Sequence, residues 1–588
     1  MGTPNRLIDI IPNQLENYPR EDALCDKKDG KWQKFSTSEI KTIIDKFSLG
    51  LLKMGFQPGD KFAIISTNRT EWNFVDLGIL QMGGVDVPLY PNMSTEDYEY
   101  IFNDAEVKLV FVEDIEIYKK VEKVKPRVKS IKEIYTFDQI EGKKHWKQIL
   151  ENADNTLEER LKKIESSILP TDLATLIYTS GTTGTPKGVI LSHQNIISNI
   201  NSLTKIIPIS KKDRVISFLP ICHIFERTSI YYYLTLGCAI YYAESIDKIG
   251  VNLTEVKPNY FTTVPRLLEK IYDKIMDKGR ELTGVKRSIF GWSHGLANRY
   301  HPQGKNNFFY KMQLGIARKL VFSKWKAALG GEVKGIISGA AALQPRLARI
   351  FSAAGIPIRE GYGLTETSPV LTCNRFKEGE YYFGTVGMPI PDVQIKIDEN
   401  GEILAKGPNV MSGYYNKPEF TSKAFDQDGW FHTGDIGEWV DGKFVKITDR
   451  LKEVFKTSGG KFVAPLPIEN KMKESLFIQN IMVIGENRKF TSALIVPDFD
   501  FIFKWAKIKR LNLKTKDEVV NSPKVKERTW EDIEKYNQRF GKIEQIKKFE
   551  LLVDDWTVES QEITPTLKLK RKVILEKQKD LIEKIYSD

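Results

Sequence analysis

The stretch YTSGTTGTPKGV, Tyr178 to Val189, sets hydroxyl side chains at Thr179, Ser180, Thr182 and Thr183 around two glycines, Gly181 and Gly184, and adds one cation, Lys187. Backbone N–H groups and hydroxyls in such a turn cradle a polyphosphate, and the lysine adds a point charge. A flexible surface loop is the plainer reading of the same composition. The Walker A pattern does not fit, because Lys187 follows Pro186 and precedes Gly188. The hydroxyl that a Walker loop gives to magnesium is missing. The loop therefore predicts phosphate binding without P-loop hydrolysis.

Four further stretches carry groups of matching chemistry. In REGYGLTETSPV, Tyr362 offers a flat face for a base, Thr365 a hydroxyl for phosphate, and Glu366 a hard oxygen for Mg²⁺ shared with phosphates. A turn entering a helix capped by Thr365 is the alternative there. SGAAAL, Ser338 to Leu343, is small and smooth, which suits close approach of a ligand or another backbone. WFHTGDIG places Asp435 after a turn, where a carboxylate accepts from both hydroxyls of a ribose; an isolated aspartate there is more often a turn residue. TPTLKLKRK puts Lys568 on a basic tail, where a lysine is ordinarily just solvated. KKDG, Lys27 to Gly30, resembles a nucleotidyltransferase lysine motif, but Asp29-Gly30 between two apolar runs reads as a hairpin turn.

Elements must hold these groups in place. FSTSEIKTIIDKFSLGLLKMG predicts a helix with a Ser36/Glu39 capping box, apolar positions at Ile43, Phe47 and Leu51, and a stop at Gly55. KFAIIS, VDVPLY, VKLVFVED, LATLIYT, VISFLP and VKGIISG read as strands, and TEWNFVDLGILQMG as a helix between the first two. Such alternation predicts an α/β fold, its parallel-rich sheets covered by helices. After about Pro389 the texture changes to short strands and tight turns, a small β-barrel-like part of the large N-terminal domain. Beyond Arg450 comes a lysine-rich α+β region. The Gly459-Gly460 pair with Pro465 and Pro467 suits a mobile junction near Lys452, so the domains are read as 1–451 and 452–588.

Composition narrows the function classes. A 588-residue chain with 41% apolar residues is a soluble globular protein of more than one domain. The longest uncharged run, Thr228 to Ala243, is too short to span a bilayer and is interrupted by Gly237; it reads as a buried helix plus strand. The first residues lack a signal-peptide pattern, which leads to the expectation of a cytoplasmic protein. Four scattered cysteines and six dispersed histidines support neither a disulfide framework nor a zinc site.

The formal charge of +11 is uneven. From Leu282 to Gly331 there is no acidic residue, against nine basic ones: Lys286, Arg287, Arg299, Lys305, Lys311, Arg318, Lys319, Lys324 and Lys326. Phe290, Trp292, Phe308, Phe309, Tyr310, Phe322 and Trp325 interleave them. Two readings stand: a solvated helical face with its apolar side in the core, or a surface that meets an anionic partner such as lipid headgroups. No nucleic-acid partner is expected.

Taken together and in this order, YTSGTTGTPKGV, GYGLTETSPV, HTGDIG, DRLKE and KTSGGKFVAP resemble the adenylate-forming superfamily. LPICHIFERT, VPRLLEKIY and TPTLKLKRK are similar to the long-chain fatty acid–CoA ligases within it. The resemblance implies ATP, Mg²⁺ and coenzyme A as co-reactants: a fatty acid carboxylate attacks the α-phosphate, pyrophosphate leaves, and the coenzyme A thiol then displaces AMP. It implies that Thr179 to Gly184 with Lys187 hold the departing phosphates, that Thr365 contacts the α-phosphate and that Glu366 holds Mg²⁺. Tyr362 stacks on adenine, with Gly339 and Gly363 beside the nucleotide. Asp435 binds the ribose, Arg450 the ribose or a phosphate. Lys568 acts in adenylation, Lys456 in thioester formation, and Lys452 as the hinge between the two arrangements. His223 stands at the entrance of the acyl pocket; a core histidine between apolar strands is the alternative. Many relatives carry Gly before the tail lysine where this chain has TLK, and Lys570 and Lys572 lie close to Lys568. Transfer to a carrier-protein phosphopantetheine, or to other acid classes, remains a second reading, and a non-catalytic basic lipid-binding protein a third. Peripheral attachment to an anionic inner membrane face is the expected site of any membrane contact.

Overall fold

The computed structural model describes residues 4–180, 185–301, 306–451, 453–557, 560–564 and 569–587, with the side chain of residue 180 excepted. The chain divides into two compact units: residues 1–396, 404–433 and 440–445, and residues 397–403, 434–439 and 446–588.

Two sheets organise the first unit. In one, strands Leu24–Lys28, Ala239–Tyr242, Arg214–Ser217, Tyr260–Thr263, Gly335–Ser338 and Ile358–Gly363 run parallel. Antiparallel strands at both ends complete its nine. In the other, Leu173–Ser180, Val85–Leu89, Lys61–Ile65, Leu109–Val112 and Glu133–Thr136 lie parallel, and Pro186–Ser192 and Gly413–Tyr414 extend the edge antiparallel. Burial on both faces explains why these strands are near-continuous apolar runs rather than alternating ones.

Local chemistry sets the elements as the sequence predicts. The helix Thr37–Lys53 starts at Ser36, whose hydroxyl and backbone exchange hydrogen bonds with Glu39. Its buried face falls on Ile40, Ile44, Phe47 and Leu51, so Ile44 takes the core position expected of Ile43. Asp29 and Gly30 both adopt positive φ, 50° and 74°, and join Lys28 to Lys31 in a two-residue hairpin. The uncharged run is indeed buried helix, Ile224–Leu236, then strand, Ala239–Tyr242, with Gly237 at φ 73° closing the helix.

A buried ionic cluster joins that helix to the second sheet. The Arg227 guanidinium reaches Asp76 at 2.7 Å, Asp86 at 2.8 Å and the Thr175 hydroxyl at 2.8 Å, all inaccessible to solvent. Tyr231 donates to Asp76 and accepts from Arg227. Desolvation raises the Asp76 carboxyl even beside the guanidinium. Removing the arginine alone would strand two buried carboxyls, which costs about 3–5 kcal/mol.

Past Pro389 the expected short strands form a four-stranded sheet in the order Gln394–Ile397, Glu402–Lys406, Phe431–Val440, Phe444–Arg450. The second unit has a three-stranded sheet, Ile478–Ile484, Ser492–Pro497 and Lys548–Leu551, with its own apolar core around Ile481, Val483, Ile495 and Ile533. Arg571 ties the tail helix Arg571–Lys577 to this body, donating to the Val483 carbonyl at 3.0 Å and pairing with Glu453 at 3.2 Å and with Glu469.

Candidate functional site

In the first unit the polar motifs converge on one edge of the second sheet. Strand Leu173–Ser180 delivers Thr179, and the antiparallel strand Pro186–Ser192 returns with Lys187 directly opposite it. The turn residues Gly181, Thr182, Thr183 and Gly184 lie outside the described residues. Strand Gly413–Tyr414 pairs with the far side of Pro186–Ser192, Tyr414 opposite Val189. This places the Lys187 ammonium 3.7 Å from the Phe420 ring centre and 5.2 Å from that of Tyr414. The Tyr414 hydroxyl donates to the Glu366 carboxylate at 2.9 Å. Thr179, Lys187 and Glu366 thus belong to one neighbourhood, with Tyr414 as the link. Burial and the adjacent Glu366 charge push the Tyr414 phenol above its ordinary range, so it stays a donor.

The Glu366 turn is held by hydrogen bonds to its backbone. Residues Thr365–Thr367 form a single 3₁₀ turn after the strand Ile358–Gly363. Asn409 donates to the Thr367 and Val370 carbonyls at 2.8 and 3.1 Å, and Met411 N–H donates to the Glu366 carbonyl at 2.8 Å. Leu364 N–H closes the turn on the Pro369 carbonyl at 3.2 Å. A side chain at Gly363 has no room, since a Cβ there would sit 1.7 Å from the Pro369 oxygen. Thr365 and Tyr362 are both buried to within about a tenth of their surface.

Gly339 follows the strand Gly335–Ser338 and faces Phe225, whose ring a Cβ would meet at 3.0 Å. Glu360 braces this loop, accepting from Leu343 N–H at 3.3 Å. Burial pushes its carboxyl up to about 8, so near neutral pH it is mostly protonated. His223 is half-buried and caps the helix Ile224–Leu236, its Nδ1 accepting from Phe225 N–H at 3.2 Å. That bond fixes the unprotonated nitrogen and aims the ring from a helix start. Three residues on, Glu226 is fully buried and accepts from Ser217 at 2.6 Å and Thr262 at 2.5 Å.

The second unit holds its own polar pair. Asp435, 3% exposed, accepts from the Arg450 Nε at 3.0 Å. Gly434, at φ 72°, donates its N–H to Glu402 at 2.9 Å and turns the chain so that Asp435 points at the arginine. Next to Arg450, Asp449 is buried and accepts from the Leu466 N–H at 3.3 Å; desolvation pushes its carboxyl up to about 6. Lys456 is exposed on the short ladder Phe455–Lys456 with Phe462–Val463, its ammonium 4.6 Å from the Phe462 ring. Lys452 and Lys568 lie outside the described residues.

Sequence reading missed Tyr414, Phe420, Glu360 and Asp449. Only Glu360 and Asp449, inside REGYGLTETSPV and DRLKE, sit in stretches already singled out. Among the described residues no group of three or more His, Cys, Asp or Glu side chains could hold a metal ion. The Glu366 carboxylate near Lys187 is a hard oxygen donor, and this donor chemistry fits a magnesium ion shared with substrate phosphates rather than one held in a protein cage.

The family model described as AMP-binding enzyme matches residues 11–415, and that described as AMP-binding enzyme C-terminal domain matches residues 452–588. The chain is 32% identical over 583 residues to the long-chain-fatty-acid–CoA ligase FadD15 of Mycobacterium bovis, covering 95% of this chain and 93% of that one. It is 31% identical to human long-chain-fatty-acid–CoA ligase 1, with 95% and 83% covered. In fold it is similar to the adenylation domain of a carboxylate reductase from Mycobacterium chelonae, with a TM-score of 0.76 at 22% identity over 99% of this chain and 91% of that one.

Proposed function

The chain belongs to the AMP-binding enzyme family, and on that footing we propose how its own residues carry the family's reaction. That reaction is the ATP-dependent activation of a long-chain fatty acid to acyl-AMP, then transfer to coenzyme A, giving acyl-CoA, AMP and pyrophosphate. Similarity to long-chain fatty acid–CoA ligases along 95% of the chain carries this reading.

The chemistry explains the parts. A carboxylate cannot expel oxide, so the acid first becomes a mixed anhydride with AMP, whose phosphate is a competent leaving group. The attacking oxygen, the α-phosphorus and the departing pyrophosphate must lie in line, so positioning and charge neutralisation supply most of the catalysis. In our reading Lys187 and the Thr179–Gly184 turn receive the β- and γ-phosphates, and Thr365 the α-phosphate. Glu366 is the residue that would hold Mg²⁺, which supplies charge neutralisation between phosphates; Tyr414 orients its carboxylate. Tyr362 stacks on adenine, with Gly339 and Gly363 beside the nucleotide. Asp435, fixed by Arg450, accepts from the ribose hydroxyls.

Lys568 bridges the fatty acid carboxylate and α-phosphate in the first step. Lys456 takes its place for thioester formation when the C-terminal domain, residues 452–588, turns about Lys452. The second family model begins at residue 452, which supports placing the boundary there. His223 is assigned to the acyl entrance; it accepts from Phe225 N–H, and Gly339 lies against the Phe225 ring.

The finer partner reading is an anionic membrane surface met by residues 282–331. No described helix is long and apolar enough to cross a membrane. The assay that tests the activity is ligation of coenzyme A to fatty acids of graded length in detergent. Long chains should be turned over in preference to short ones, with AMP and pyrophosphate in equal amounts. Release of ADP, or no turnover of any chain length, would refute it.

A further inference from the structure

The acid-free segment forms helices Gly284–Asn298, Phe308–Ala317 and Ser323–Ala328, with the π-helical turn Arg318–Phe322 joining the last two. Its aromatic residues divide between two environments. Phe322 and Trp325 pack edge-to-face in the core, their centres 4.8 Å apart, and Leu314, Ala317 and Val321 are buried with them. The opposite face is apolar too. Phe308, Met312, Ile316 and Leu320 follow one another at every fourth position and are 76, 51, 48 and 48% exposed. Phe309, 69% exposed, lies beside Phe308 with ring centres 5.9 Å apart.

Residues four apart lie one above the other on a helix, so these side chains form one continuous ridge. A helix with a single buried stripe would set polar groups on its outer face. Here Leu, Ile, Met and Phe stand there, and Lys311, Lys319 and Lys324 are exposed on the same helices. No acid between 282 and 331 offsets those charges locally. Apolar side chains flanked by lysines are the composition of a helix that lies in a membrane interface.

Charge selects the occupant. A second copy docking by the same ridge would bring lysines onto lysines. An anionic bilayer supplies phosphates for the ammonium groups and hydrocarbon for the ridge, and the lysine stems lie along apolar surface while their heads reach the headgroups. The preference for lipid over an acidic protein rests on the ligase reading, because a long-chain fatty acid partitions into bilayers. We propose that the Phe308–Leu320 ridge inserts into the acyl boundary of an anionic membrane, with Lys311, Lys319 and Lys324 on lipid phosphates. Binding then has a salt-resistant part from the ridge and a salt-sensitive part from the lysines.

The test uses the full chain with vesicles of phosphatidylcholine, alone or mixed with phosphatidylglycerol. The four native cysteines are buried, so Ile316→Cys accepts an environment-sensitive dye selectively. Its emission should shift to the blue on mixed vesicles. The triple variant Phe308→Ser, Met312→Ser, Ile316→Ser should lose at least about tenfold in vesicle affinity at high salt. The triple variant Lys311→Glu, Lys319→Glu, Lys324→Glu should lose the preference for phosphatidylglycerol. Both should ligate detergent-dispersed fatty acid at the wild-type rate, which shows that they fold. A serine variant that sediments like wild type, or a dye that does not shift while the protein sediments, overturns the proposal. So does concentration-dependent self-association that the serine variant abolishes, which would make the occupant a second copy. Wild-type protein that binds as expected yet ligates no fatty acid overturns the ligase reading alone.

Discussion

The Tyr414 hydroxyl donates to the Glu366 carboxylate at 2.9 Å, joining residues 48 positions apart in sequence. A hydrogen bond to a charged group contributes about 1.5–3 kcal/mol. If Glu366 is the magnesium ligand, Tyr414→Phe releases the carboxylate without removing it. Pyrophosphate exchange should fall about 10- to 100-fold, with more Mg²⁺ needed for half-maximal rate, while thioester formation from supplied acyl-AMP is unchanged. Equal loss in both half-reactions would place Tyr414 outside the phosphate site.

Asp435 and Arg450 form the corresponding pair in the second unit, at 3.0 Å. If Asp435 binds the ribose, ATP should be preferred over 2′-deoxy-ATP, because the site's carboxylate is left without a donor when the hydroxyl is missing. Asp435→Ala should raise the KM for ATP roughly 10- to 100-fold and erase most of that preference. A variant that still discriminates between the two nucleotides would move ribose recognition elsewhere.

Gly363 is a backbone requirement. Alanine would put its Cβ 1.7 Å from the Pro369 oxygen, and backbone cannot yield as a flexible side chain does. Gly363→Ala should cost about 2–4 kcal/mol, read by denaturant unfolding, with adenylation lost first because the strained turn carries Thr365 and Glu366. Unchanged stability would mean that the turn has another conformation of equal energy.

Features with a local physical cause were legible from sequence. The Asp29-Gly30 hairpin, the Ser36/Glu39 cap and the Gly237 stop all depend on neighbours within a few residues, and all appear as read. Tyr414 was not legible, because its role comes from a two-residue strand laid on Pro186–Ser192, over two hundred residues earlier. Glu360 and Asp449 were in view as motif letters, but burial is the main cause of their raised carboxyls, and burial is a property of the packed chain. The aromatic residues of 282–331 were counted as one set. Helical phase divides them, sending Phe322 inward and Phe308 outward.

Glu226 gives the fold a pH dependence. Desolvation pushes its carboxyl up to about 7, against an unfolded value near 4.3. Below the unfolded value both states hold the proton, and Glu226 has no effect on stability. As pH rises from there to about 7, the unfolded chain releases a proton that the folded one keeps, so stability falls by up to about 3 kcal/mol. Glu226→Gln should therefore stabilise the protein above pH 7 and change little near pH 4.5, as read by denaturant unfolding across that range. A gain that is the same at both ends would assign the effect to packing.

In our reading the two steps of the reaction use different lysines, and Lys568→Ala measured in separate half-reactions distinguishes them. Fatty-acid-dependent exchange of labelled pyrophosphate into ATP, without coenzyme A, should fall by roughly 10²- to 10³-fold, because a charge is lost where negative charge develops. Conversion of supplied acyl-AMP and coenzyme A to acyl-CoA should stay near the wild-type rate, and Lys456→Ala should show the opposite pattern. Equal losses in both half-reactions for a folded Lys568→Ala protein, or exchange that continues undiminished, would contradict the account.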